Sequence, residues 1–251
     1  LPFRVRRAVD RFILQRCDGV IGLSDYMCDE AGQIFPSAVD KYNKIPGGVD
    51  TKRFSLPQDK RQIRRQLGLP VDGKILLTVR RLSHRMGLEN LIRAMVQVEQ
   101  ERHDTVMIIG GKGELRPQLE KLIADLGLKR TKLLGYIEDS DLSAYYQASD
   151  LFIMPSTSLE GFGLSTLEAM ACGLPVLGTP IGGTPEILRQ ILPSFILPGV
   201  EPDLLASGIL KHLLTLPDPS LSLQVRHFAE QFDWDRIVVE VEKVFAERCG
   251  L

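Results

Sequence analysis

Short apolar runs alternate with helical patterns along most of this chain. The runs that we interpret as strands are nearly continuous in apolar character and cover residues 74–80, 105–109, 131–134, 150–154, 174–177 and 195–197. Strands of this kind are typical of a parallel sheet that helices cover on both faces. The sequence therefore predicts an α/β fold, a Rossmann-like, doubly wound parallel sheet. Ligands of such sheets bind beyond the carboxyl ends of the strands, so we expect the functional site in the loops there.

The overall charge and the cysteines argue against several classes of protein. The 251 residues carry a formal net charge of −1, so no general attraction to nucleic acid is predicted. The four cysteines form no CxxC pair and have no histidine at metal-ligand spacing, which argues against a zinc site. The cysteine pattern indicates a reducing compartment, so we expect a cytoplasmic protein. No apolar run is long enough to span a membrane. The arginine-rich helix predicted over residues 3–16 fits either peripheral contact with a membrane or packing on a neighbouring helix.

Two glutamates flank a glycine-rich turn after the run at 150–154. Residues 155–173 (PSTSLEGFGLSTLEAMACG) turn into a helix, whose first backbone N–H groups and positive dipole end suit a phosphate. Glu160 and Glu168 have seven residues between them, and a carboxylate can accept hydrogen bonds from sugar hydroxyls. These features together predict a sugar-nucleotide site. Two alternatives stay open: Glu168 forms a capping box with Ser165, and Glu160 is an ordinary surface-loop carboxylate.

An arginine-rich loop follows the predicted strand at 74–80. It contains Arg80, Arg81 and Arg85, just before a helix N-terminus. Guanidinium groups beside a helix dipole can bind a diphosphate. The alternative is a basic loop that is merely solvated.

Two loops with glycines follow the next two predicted strands. Gly111 and Lys112 belong to residues 110–113 (GGKG), where a ligand can approach the backbone closely and the lysine can reach it. This loop matches neither a P-loop nor a dinucleotide fingerprint. In the other loop, backbone groups of Tyr136 and Ile137 are candidates for contacting the edge of a nucleobase.

Further motifs accompany these loops. They are residues 46–50 (PGGVD) with Phe54, residues 182–186 (GGTPE), and Trp234 before the last predicted helix. Together with the Glu160-to-Glu168 block and the loops at 81–87, 110–113 and 135–139, they resemble the carboxyl-terminal half of retaining GT-B glycosyltransferases of family 4. The resemblance covers about residues 17–250. It implies transfer of a hexose from a nucleotide-diphosphate sugar, such as a UDP- or GDP-hexose, to an acceptor with retention of the anomeric configuration.

The resemblance also implies a role for each matching residue. Glu168 would hold the ribose of the donor, Glu160 would contact hydroxyls of the transferred sugar, and Arg81 would bind the diphosphate. The distal phosphate would receive backbone amides from Gly163, Leu164 and Ser165. No cofactor and no metal are implied, because cations and a helix dipole stabilise the leaving diphosphate in this family.

One position departs from the family pattern. The family usually has a lysine five residues after the matching arginine, and here that residue is Met86. A thioether carries no charge to neutralise a phosphate. We predict that the neighbouring Arg85 supplies the missing charge.

The resemblance finally implies a division of the chain at the turn-rich segment after residue 45. Residues 1–45 correspond to a remnant of an acceptor-binding domain, 46–233 to the donor-binding domain and 234–251 to a helix that crosses back. We therefore expect this chain to bind a donor without transferring it, and expect the apolar stripe of Ile237, Val241 and Val244 to be partly exposed. The alternatives are a non-catalytic nucleotide-sugar-binding module and a nucleotide-sugar epimerase of the same fold.

Overall fold

The computed structural model describes residues 3–249, with the side chains of residues 8–248. Its strands, in chain order, are β1 (Val20–Gly22), β2 (Tyr42–Lys44), β3 (Lys74–Val79), β4 (Thr105–Gly110), β5 (Thr131–Gly135), β6 (Leu151–Met154) and β7 (Val176–Gly178). The last five form one parallel sheet in the order β5-β4-β3-β6-β7, and β1 and β2 form a separate parallel pair. The predicted α/β fold with a Rossmann-like parallel sheet is confirmed.

Helices lie before, between and after the strands of the large sheet along the chain. They are α1 (Phe3–Arg16), α2 (Asp25–Ile34), α3 (Lys60–Gln66), α4 (Leu88–Glu101), α5 (Arg116–Asp125), α6 (Asp139–Ala148), α7 (Leu164–Ala171), α8 (Thr184–Ile191), α9 (Pro202–Leu213), α10 (Pro219–Ala229) and α11 (Trp234–Cys249). None of the helices in the described part of the chain is both long enough and apolar enough to cross a membrane. Within α1, Phe12 and Ile13 are exposed, and both interpretations of this helix stay predictions.

The centre of the large sheet determines where a ligand can bind. In β3, Ile75, Leu76 and Leu77 are completely buried, because this central strand is covered on both faces. The chain adds β4 on one side of β3 and β6 on the other, so the order of connection reverses there. Crevices form at such a reversal, beyond the carboxyl ends of the two strands. The loops after β3 and β6 therefore meet at the expected ligand site.

One prediction about the last third of the chain is wrong. Residues 195–197 are not a strand: a 3-10 turn covers Pro193–Phe195, and only a single bridge joins Ile196 to Gly178. Proline favours the first turn of a helix, and the N–H of Phe195 closes that turn on the carbonyl of Leu192 at 2.9 Å.

The predicted exposed stripe of α11 is also only partly right. Ile237 is buried, whereas Val241 and Val244 are half-buried as expected. The first turn of α11 is attached to Val49, whose N–H donates to Phe232 and whose carbonyl accepts from Trp234. This attachment explains why Ile237, one turn further on, is covered.

The segment around β1 and α2 contacts the loop after β6. The Ser24 hydroxyl donates to the carbonyl of Gly161. The carboxylate of Glu186 accepts the N–H groups of Asp25 at 2.9 Å and Tyr26 at 2.8 Å, so it caps the N-terminus of α2. These contacts hold residues 20–34 beside the glycine-rich turn. The division of the chain into domains stays a prediction.

Candidate functional site

The N-terminus of α7 lies directly beyond the carboxyl end of β6. Gly163 precedes the helix with a φ of 82°, and no side chain of the described residues caps it. A β-carbon at Gly163 would lie 3.1 Å from the Met154 methyl carbon and 3.2 Å from the hydroxyls of Thr166 and Thr184. Glycine therefore lets the chain enter α7 at this angle. The first amides, those of Gly163, Leu164 and Ser165, belong to the turn that has no carbonyl partner within the helix.

Glu168 is held by a tyrosine and not by the start of its own helix. Its Oε2 accepts a 2.8 Å hydrogen bond from the hydroxyl of Tyr146. The capping-box interpretation with Ser165 is therefore wrong. Burial raises the pKa of the Glu168 carboxyl from its ordinary value, while the Tyr146 hydrogen bond and the nearby Arg53 lower it in part.

Glu160 is buried, so the alternative of a surface-loop carboxylate is wrong as well. The residue is 9% exposed, and its Oε2 accepts a 2.8 Å hydrogen bond from Ser156. The same oxygen forms an ion pair with Nη2 of Arg80. The backbone carbonyl of Glu160 also accepts from the N–H of Gly183 at 2.8 Å. This carboxylate is thus fixed from several sides at the junction of the loops after β3 and β6.

Arg80, which the sequence groups with Arg81 and Arg85 in a candidate diphosphate-binding loop, lies inside the site. Its side chain is 4% exposed and lies between Glu160 and the sulfurs of Met86 and Met154. Burial lowers the pKa of the Arg80 guanidinium, and the Glu160 carboxylate raises it in part. The sequence signal for this placement is that Arg80 is the first residue after an apolar strand, because a side chain at that point can be directed into the site.

Arg81 and Arg85, the two arginines predicted to bind the diphosphate or supply its charge, lie at the outer edge of the site. The Arg81 side chain is 72% exposed, with Nε 4.0 Å from a carboxylate oxygen of Glu114. Arg85 donates from Nη1 to the carbonyl of Leu159 at 2.8 Å. Met86, in contrast, is buried. The structure therefore brings Arg85 to the loop of Glu160, while Arg81 extends into solvent. Their roles stay predictions.

The glycine loop after β4 packs on the backbone of the arginine loop. Gly111 has a φ of 136°, and a β-carbon there would lie 1.7 Å from the carbonyl oxygen of Arg80. Its N–H donates to the carbonyl of Gly135 at 2.6 Å, so three strand ends meet at this residue. Lys112 places its Nζ 4.1 Å above the ring of Tyr136, which is half-exposed.

The remaining sequence-predicted position has a packing role. Ile137 is buried, and its side chain lies over Gly110, where a β-carbon would be 2.5 Å from the Ile137 Cδ1. Only its backbone remains a candidate for contacting a base. No cluster of three or more potential metal ligands occurs among the described residues. A separate cavity of about 390 Å³, lined by Leu56, Gly173 and Leu223 among others, contains none of the predicted site residues.

The chain matches a family model described as Glycosyl transferases group 1 over residues 59–220, more than half of its length. The chain belongs to the group 1 glycosyltransferases. A glycosyltransferase of Methanocaldococcus jannaschii that is named uncharacterized is 32% identical over 232 residues, which cover 90% of this chain and 59% of that protein. A GDP-mannose-dependent alpha-(1-6)-phosphatidylinositol monomannoside mannosyltransferase of Mycolicibacterium smegmatis is 31% identical, covering 92% of this chain and 62% of that protein. This group 1 chain thus spans less than two thirds of the length of these curated relatives.

Solved structures share the fold of this group 1 glycosyltransferase chain. Sucrose-phosphate synthase from Thermosynechococcus elongatus superposes with a TM-score of 0.82 at 29% identity, covering 97% of this chain and 61% of that one. Anabaena HepE in complex with UDP-glucose superposes with a TM-score of 0.85 at 25% identity, covering 99% and 68%. The predicted glycosyltransferase family and the predicted fold are both confirmed, whereas family 4 and retention of configuration stay predictions.

Proposed function

We propose that this group 1 chain binds the nucleotide-diphosphate sugar of a retaining hexosyltransferase at the N-terminus of α7. The observation that carries the proposal is the uncapped helix start beside Glu168, a carboxylate that Tyr146 holds in place. Amides of Gly163, Leu164 and Ser165 would receive the distal phosphate. Glu168 would accept hydrogen bonds from the ribose hydroxyls.

The rest of the site would act on the sugar and the leaving group. Glu160, fixed by Ser156 and Arg80, would contact hydroxyls of the transferred hexose. Negative charge grows on the diphosphate as the glycosidic bond breaks, and preorganised amides and guanidinium groups stabilise that charge. Gly111 and Lys112 would approach the donor from the neighbouring strand end, with the backbone of Tyr136 and Ile137 at the base. We expect the chain alone to bind a donor without transfer, because the acceptor would bind on another domain.

Calorimetric titration of the chain with UDP, GDP and ADP, in a buffer containing EDTA, tests the proposal. We expect at least one nucleoside diphosphate to bind in the absence of metal. The corresponding UDP- or GDP-hexose should bind as well and remain intact for hours, as followed by proton NMR. If trace hydrolysis occurs, the first hexose released should have the anomeric configuration of the donor. A chain that binds none of the three nucleotides would contradict the donor-site assignment.

A further inference from the structure

The buried guanidinium of Arg80 has fewer strong acceptors than it has N–H groups. A guanidinium carries five N–H donors. Of its partners here, only the Glu160 carboxylate is strong, because Met86 at 3.1 Å and Met154 at 3.6 Å offer thioether sulfurs, which are weak acceptors. The Nε of Arg80 is buried and has no hydrogen-bond partner among the described residues. Buried donors are nearly always paired, so this group is suited to a further acceptor.

The guanidinium also lies close to the proposed phosphate site. Met154 connects the two, because its sulfur is 3.6 Å from Nη1 of Arg80 and 3.5 Å from the hydroxyl of Ser165. The methyl carbon of the same methionine is 3.1 Å from the position of a β-carbon on Gly163. A single thioether therefore separates Arg80 from the first residues of α7. An anion at that helix start would therefore lie within one side chain of the guanidinium.

Met86 fits this arrangement as a neutral neighbour. Its sulfur is 3.1 Å from Nη2 of Arg80, so a lysine at position 86 could bring a second cation to the same buried point. Like charges at that distance repel strongly where water is excluded. A methionine at 86 and an arginine at 80 thus leave one cation at this buried point, contributed by the residue directly after β3 and not by the following turn.

We propose that Arg80 is the cation that contacts the distal phosphate of the donor, while Glu160 and Ser156 position its guanidinium. The inference rests on the proposed function and adds the residue that supplies the charge. Arg80 is better placed for this role than Arg81 or Arg85. Both of these side chains are exposed, and Arg85 already donates to the carbonyl of Leu159. A fixed donor in a site without water stabilises charge more than a solvated one.

The test compares nucleoside diphosphates with nucleoside monophosphates, since only the former carry the distal phosphate. The Arg80→Met change should weaken binding of the preferred diphosphate about tenfold to a hundredfold, the loss of one charge-assisted hydrogen bond or two. Binding of the matching monophosphate should change by less than about threefold. The double variant Arg80→Met/Met86→Lys moves the cation from position 80 to position 86, and it should restore most of the diphosphate affinity. Arg93→Met, at an exposed arginine of α4 outside the site, is the matched control and should have a small effect on both ligands. Arg85→Met tests the rival cation.

In the Arg80→Met variant, Glu160 is left as a buried carboxylate without its cation, which could itself weaken binding or folding. The double variant Arg80→Met/Glu160→Gln removes that carboxylate and should fold. If Arg80 contacts the phosphate, the double variant binds the diphosphate as weakly as Arg80→Met does. Wild-type affinity in the double variant would overturn the inference, as would a large loss in Arg85→Met with none in Arg80→Met. If the wild type binds a diphosphate and Arg80→Met binds it equally well, the inference is overturned but the proposed function is not. A wild-type chain that binds no nucleotide overturns the proposed function, and this inference with it.

Discussion

The hydroxyl of Tyr146 donates a 2.8 Å hydrogen bond to Oε2 of Glu168, from a ring that is completely buried. Phe54 and Phe152 pack edge-on against this ring, with centroids 5.8 Å and 5.4 Å away. Burial raises the pKa of Tyr146 well above its ordinary value, so the hydroxyl remains a donor at every physiological pH. A rigid core residue thus fixes the carboxylate that we propose for the ribose.

Replacing Glu168 by Ala should weaken nucleoside diphosphate binding about tenfold to a hundredfold, because a charge-assisted contact is lost. The Glu168→Gln variant is the matched control. It keeps the size of the side chain and one acceptor oxygen, and should lose less. Calorimetric titration measures both. Unchanged affinity in Glu168→Ala would place the ribose elsewhere.

The Tyr146→Phe change removes only the hydroxyl that holds Glu168. We expect a loss of about threefold to tenfold in diphosphate affinity, the usual contribution of one neutral hydrogen bond. In a Glu168→Gln background the same change should have a smaller effect, because the two residues act as a pair. Equal losses in both backgrounds would show that Tyr146 acts independently of Glu168.

Donor binding should depend on pH through Glu168. Its ordinary pKa of 4.5 is raised by burial, and its ionised form is the better acceptor for ribose hydroxyls. Affinity should therefore fall as the pH falls through a pKa above 4.5. Folding has the opposite sign, because a raised carboxyl pKa means that ionisation costs stability as the pH rises from the unfolded to the folded pKa. Titrations between about pH 5 and about pH 8 should show this dependence in the wild type and lose it in Glu168→Gln.

The Gly163→Ala change should lower both stability and diphosphate affinity. At a φ of 82° alanine is strained, and its β-carbon would crowd Met154 and two hydroxyls at the start of α7. We expect a loss of about 1 kcal/mol or more in the free energy of unfolding. Gly127→Ala is the matched control, since Gly127 has a φ of 66° but open space around it and lies outside the site. Thermal unfolding should show a loss of stability in both variants, whereas calorimetric titration should show a loss of diphosphate affinity only in Gly163→Ala.

A buried ion-pair network stabilises the amino-terminal end of β6, at the opposite end of the sheet from the site. Asp150 is 5% exposed and accepts from Arg64, Lys60 and the N–H of Ile75, each at 2.7 Å. Replacing Asp150 by Ala should lower the free energy of unfolding by about 3 to 5 kcal/mol, because it leaves the buried Arg64 guanidinium and the partly buried Lys60 without a carboxylate. The exposed pair of Asp72 and Arg61 provides the control, and Asp72→Ala should cost less than about 1 kcal/mol. Chemical denaturation distinguishes the two.

Sequence patterns predicted the parts of this structure that depend on local periodicity. The alternation of apolar runs determines β3, β4 and β6, and the glycines before residue 164 determine the start of α7. The pairing of Arg80 with Glu160 was not predictable, since the two are 80 residues apart and meet only when β3 and β6 become neighbours. Likewise, Ser165 and Glu168 have capping-box spacing, but a tyrosine 22 residues away competes successfully for the carboxylate.

The location of bound nucleotide tests the central claim most directly. Amide chemical shifts of the isotope-labelled chain, followed during titration with UDP-glucose and GDP-mannose, report where the ligand binds. We predict that the largest changes occur at the amides of Gly163, Leu164 and Ser165 and at Gly111, with none at Leu56 or Gly173 in the separate cavity. Changes confined to that cavity, with the start of α7 unaffected, would contradict the account.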